Sequence, residues 1–225
     1  MPAESEFRII YSSGVAKRVL VTLLGFEALL ISGYCMMHIV APGPHWGPLA
    51  VLLNVDREVS IPTWFSSMQL VAVGFLLLVE ARDSNELRFF LTIVGLGFIF
   101  LSVDESAVIH EKLVDSARRS SVRWLSDWSY VVWMVAYLAI GLLIVLVGYR
   151  PLLVIWRKYR RETIWIAGGM AIFVIGAMGF EVLSRLLYTA DINWRFLAAV
   201  AAEEFFEMAG VSLILYGTML LGIRI

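Results

Sequence analysis

Six stretches of this chain are long and apolar enough to cross a lipid bilayer, at residues 18–40, 61–81, 88–112, 128–148, 163–188 and 196–222. A spanning helix needs about 20 mostly apolar residues. Lipid offers no partner for a free backbone N–H or C=O, so each stretch must close its own hydrogen bonds. The chain is therefore expected to be an all-α polytopic bundle of six transmembrane helices, forming one domain over residues 1–225. Sixty per cent of the residues are apolar and 16% are charged. Soluble domains run at about 45–50% and 25%, so a water-soluble globule and a disordered chain are excluded. A net charge of -1 leaves no basic footprint for nucleic acid.

Polar punctuation sets the boundaries. Pro42-Gly43-Pro44 cannot continue a helix. Ser60 with Pro62 reads as a cap followed by a first-turn proline. Polar turns lie at 82–86, 118–121 and 157–161, and Asp191-Ile192-Asn193 parts the last two spans. The apolar run after Lys17 and Arg18 extends from Val19 to Val40, too long for a signal-peptide core of about 7–15 residues. With the N-terminus in the cytoplasm, inside segments carry eleven basic residues, Arg8, Lys17 and Arg18 among them, and outside segments six. The positive-inside rule then puts both termini in the cytoplasm. The basic residues between 112 and 126 dissent, either as solvated charge or by resting on anionic headgroups.

Ionisable groups at membrane depth are costly and mark function by default. The spans contain Glu27, His38, Asp104, Glu105, His110, Glu111, Glu181, Arg185, Glu203, Glu204 and Glu207. So many carboxylates cannot stay charged around one arginine in a low dielectric. Protonation, a bound multivalent cation or water must relieve them. At 1.5 Å per residue, Asp104, Glu181, Glu203, Glu204 and Gln69 all fall about 10–12 Å below the outer ends of their spans. On a helical wheel Glu203, Glu204 and Glu207 share an arc of roughly 100°. Asp104, Glu105 and Glu111 share one of about 120°, and Glu181, Arg185 and Tyr188 share a face. On a continuous helix His110 points about 120–140° away from Asp104 and Glu105.

Carboxylates with an imidazole suit iron or manganese. Helical bundles build such centres from glutamates and Glu-x-x-His pairs, but no Glu-x-x-His occurs here. Asp104, Glu105, Glu111, Glu181, Glu203, Glu204 and Glu207 are the expected metal ligands, with His110 and His38 recruited from other geometry. Arg185, Gln69 and Tyr188 are expected to orient a bound group. A neutral, hydrogen-bonded acid network around Arg185 and a proton or ion pathway remain open as alternatives. Three-histidine zinc chemistry fails, because of His38, His45 and His110 the second falls in a loop. No nucleophile elbow or phosphate loop is present, and the lone Cys35 excludes a disulfide. Trp64, Trp128 and Trp133 read as part of an aromatic belt at the headgroups, or else as the walls of a cofactor slot.

Pro62-Thr63-Trp64-Phe65-Ser66-Ser67 and Leu101-Ser102-Val103-Asp104-Glu105 with His110-Glu111 resemble segments of an uncharacterised group of bacterial inner-membrane proteins. That resemblance implies a plasma-membrane location and a site that acts as a unit, and no reaction. The expectation is a membrane-embedded metal site in the outer half, an oxidoreductase or hydrolase acting on a lipid-soluble substrate. The alternatives are a proton- or cation-coupled transporter or channel, and a non-catalytic subunit of a membrane complex or a homo-oligomer.

Overall fold

The computed structural model describes residues 12–42, 44–188 and 193–224. Arg8, Gly43, Asp191 and Ile192, used above, lie outside the described residues. The described chain is helical, without a β-strand. Helix α1 (Ser13–Cys35) continues through π turns at Met36–Val40 and is followed by the short α2 (Gly47–Leu52). Helices α3 (Ile61–Asp83) and α4 (Arg88–Ala107) form a hairpin, followed by α5 (Ile109–Arg118) and α6 (Arg123–Asp127). Next come α7 (Ser129–Val147) and α8 (Tyr149–Lys158). Helix α9 (Arg160–Val174) passes through π turns at Ile175–Phe180 into α10 (Glu181–Leu187), and α11 (Trp194–Gly222) closes the chain.

Six of these segments are long and apolar enough to span: Ser13–Val40, Ile61–Asp83, Arg88–Ala107, Ser129–Val147, Arg160–Leu187 and Trp194–Gly222. Three starts are capped by side chains that satisfy orphan N–H groups. Ser12 accepts from Val15 N, Ser60 from Thr63 N at 3.3 Å, and Asn193 from Phe196 N at 3.1 Å. Pro62 sits in the first turn of α3, where its missing N–H costs nothing.

Helix α11 is the axis of the bundle, buried at most positions from Ala199 to Leu221. It packs against α1, α3 and α9. Two crossings rest on glycine pairs. A Cβ on Gly74 would sit 2.7 Å from Gly95 O, and one on Gly169 would sit 2.6 Å from Gly210 O. Small residues let backbones approach this closely, as membrane packing requires without a hydrophobic drive between helices. The start of α1 meets the end of α11 through Ala16, Tyr216 and Leu220. Helix α7 is largely exposed, with Val135, Leu142, Leu146 and Val147 among its exposed side chains.

The third span departs from expectation. It ends at Ala107 rather than at residue 112, because Val108 takes φ 58 and ψ 42 and breaks the helix. The Asp104 carboxylate accepts the His110 N–H at 2.8 Å, replacing the helical bond to the Ser106 carbonyl. Lys112 Nζ donates to Ala107 O at 2.7 Å and satisfies a carbonyl freed at the break. Asp104 is therefore three residues, about 4.5 Å, from the end of its span, not about 12 Å below it.

Candidate metal centre at the carboxylate end

The break at Val108 reverses the expected facing of His110. Besides its backbone bond, His110 places Nδ1 3.2 Å from Asp104 Oδ2. The ring leans on Trp133 at 5.4 Å between centroids, and Trp133 meets Tyr137 at 5.8 Å. Helices α5 and α7 pack here through Val114, Trp133 and Met134. A histidine held by a carboxylate at one nitrogen presents the other, here Nε2, in a fixed direction.

Two carboxylates reach the same place. One ligand atom from each of Glu58, His110 and Glu111 lies within 4.8 Å of the others. Glu111 follows His110 in the first turn of α5. Glu58 comes from the connection between the first two spans, which folds back over the bundle end. Val55, 3% exposed, anchors that connection against Tyr34, Val200 and Ala201. Thr63 Oγ1 donates to Arg57 O at 2.8 Å and fixes the chain on the other side of Glu58. Burial pushes the Glu58 carboxyl above its ordinary range, and the charge of Glu111 adds to this while His110 opposes it. Burial draws the His110 imidazole down, but the hydrogen bond and charge of Asp104 outweigh it, so its pKa lies above the usual 6.5. Three ligand atoms of mixed oxygen and nitrogen character, one of them braced from behind, suit a first-row cation with open positions.

The other expected residues divide into two groups. Glu105, Glu181, Glu203, Glu204, Glu207 and Arg185 line one cavity of about 1440 Å³, which the three-residue cluster also borders. Tyr188 is at its rim and stacks on Phe196 at 5.5 Å. Glu181 and Arg185 pair on one face, with Arg185 Nε donating to Glu181 Oε1 at 2.6 Å. Their side chains are 21% and 42% exposed, so the pair sits at the rim of the cavity.

Gln69 and His38 stand apart from the cluster. Gln69 Nε2 donates to Glu27 Oε1 at 2.8 Å and to Ser212 Oγ at 2.7 Å, and Ser212 Oγ donates to Glu27 Oε1 at 2.5 Å. Ser212 lies five residues beyond Glu207 on α11, about 7.5 Å further along the axis. Gln69 thus belongs to a separate, fully buried polar knot with Glu27. His38 packs on Tyr34 at 4.7 Å, in the π turns of the first span. Trp64 and Trp128 are 63% and 58% exposed, whereas Trp133 is buried and lines the cavity.

Glu58 is the cluster residue that span-based reading passes over, because it lies between spans. Its signal is positional: the 42–60 connection starts and ends on the same side of the bundle as Asp104.

No curated protein and no solved structure matches this chain. A family model described as a domain of unknown function, DUF8692, matches residues 18–221, and the chain belongs to that family.

Proposed function

We propose that this protein is a membrane-embedded metalloprotein that binds iron or manganese through Glu58, His110 and Glu111, and acts as an oxidoreductase or hydrolase on a lipid-soluble substrate. The observation that carries the reading is the Asp104 carboxylate bonded to His110, with ligand atoms of Glu58, Glu111 and His110 all within 4.8 Å of one another. Hard oxygen ligands with one imidazole suit these ions.

Each residue then has a task. Asp104 holds the imidazole with Nδ1 occupied, leaving Nε2 to coordinate. Glu58 and Glu111 neutralise the ion's charge. A bound ion would supply a Lewis acid and, for oxidoreductase chemistry, a redox couple. Glu105, Glu204 and Glu207, on the cavity wall, are placed to accept or return protons. The π turns next to the cavity, at Ile175–Phe180, are the kind of irregularity that accompanies functional sites. Placement in a bacterial inner membrane, with both termini in the cytoplasm, is part of the same reading and rests on the basic-residue bias.

Manganese titration followed by electron paramagnetic resonance tests it. Wild-type protein should quench the signal of aqueous manganese to about one ion per chain, and Glu58→Ala and His110→Ala should each weaken that binding. Equal binding by all three proteins, or none by the wild type, rejects the centre.

A further inference from the structure

The large cavity carries more than a wall for the metal centre. Its lining on α11 extends from Val200 to Leu221, about 30 Å of helix rise, which is the thickness of a bilayer's hydrocarbon core. Its two ends differ in chemistry. One is lined by Glu105, Glu203, Glu204 and Glu207, while the rest is walled by apolar side chains such as Leu77, Phe98, Ile155 and Leu221. At about 1440 Å³ it exceeds the roughly 300–1,000 Å³ typical of small-molecule pockets. The cavity is half open along the bundle, and ordered water needs polar partners that an apolar wall withholds. A hydrocarbon chain fits the long apolar part.

The acidic end selects the headgroup. Glu204 and Glu207 have no hydrogen-bond or ion-pair partner among the described residues. A carboxyl offers an acceptor oxygen whether ionised or protonated, so a hydroxyl or amine donor complements it. Carboxyls outnumber Arg118 and Arg185 at this end of the cavity, so a phosphate or carboxylate headgroup, which adds acceptors and negative charge, is the poorer match.

We infer that this cavity binds one long-chain lipid whose headgroup is a hydrogen-bond donor, a hydroxyl or an amine. The inference names the substrate class of the site proposed above and rests on that reading for what the headgroup meets at the metal.

Two glycines make the test clean. Gly97 and Gly141 both line the cavity, and a Cβ at either position would meet nothing within 4 Å. Gly97→Phe with Gly141→Phe should fill the apolar part without forcing helices apart. Protein in mild detergent is incubated with hexadecanol, hexadecylamine or hexadecyl phosphate and examined by native mass spectrometry. Wild type should retain one molecule of the alcohol or the amine and not of the phosphate. The double phenylalanine variant, shown to be folded by circular dichroism, should lose that retention. Glu204→Ala with Glu207→Ala should lose the preference for donors. Retention of all three lipids alike, or undiminished retention by the phenylalanine variant, overturns the inference. Manganese binding on the same samples separates the two readings. Manganese bound without lipid retention removes the lipid and leaves the centre; lipid retention without manganese does the reverse.

Discussion

One side chain, Asp104, does two things at once: it ends a helix through the His110 N–H and fixes the His110 ring through Nδ1. Removing its charge should therefore act on the metal through the histidine. Asp104→Asn should lower manganese affinity about 10–100-fold, the usual cost of losing such a partner, as read by isothermal titration; unchanged affinity would show that the pair is structural only. The pH dependence of metal-free protein has a definite sign. The folded pKa of His110 lies above its ordinary 6.5, so the imidazolium binds its proton more tightly in the folded state. That stabilisation is fully present below 6.5 and is lost as pH rises through the folded value. Melting temperatures in chelator should fall over that window in the wild type and fall less in His110→Gln. Glu27 is a different case, 0% exposed and bonded to Gln69 and Ser212 far from the cluster. Glu27→Ala strands both partners and should destabilise by about 1–3 kcal/mol, whereas Glu27→Gln keeps an acceptor and should cost less. Melts in detergent that show Glu27→Ala as stable as wild type would contradict this account of the knot.

Among elements, the decisive one is the break between α4 and α5. A β-branched residue at positive φ is strained, and Val108 holds φ 58. Val108→Gly should relieve that strain and stabilise by about 1 kcal/mol while leaving manganese binding intact. Loss of stability would mean that the valine side chain, and not the Asp104 bond, maintains the break. The same break explains what the sequence could and could not disclose. The spans were legible because twenty apolar residues in lipid have one way to satisfy their backbone. The shared face of Glu203, Glu204 and Glu207 was legible because they lie on one unbroken helix, α11. His110 was not, since wheel angles assume a continuous helix and a side-chain bond at Asp104 resets the phase. Gln69 matched the acids in depth, but depth alone does not say which helix a side chain faces. Glu58 was missed because hydropathy is silent about where a connection folds back.

At the scale of the whole molecule, the six spans return the chain to the end where it began, through the contact of Ala16 with Tyr216 and Leu220. The basic-residue bias then predicts that reporters at both termini read out from the cytoplasm and that one between residues 112 and 126 reads out from the other side. A reporter placing the 112–126 segment in the cytoplasm would move the carboxylate end to the inner leaflet. The central claim is a metal ion held where α4, α5 and the 53–60 connection converge. Its most direct test is elemental analysis of the protein as purified, with three variants beside the wild type. The account predicts about one iron or manganese per chain in the wild type and in Glu27→Gln, and a clear loss in Glu58→Ala and His110→Ala. Wild-type protein free of both metals, or Glu58→Ala and His110→Ala carrying as much metal as the wild type, would contradict it.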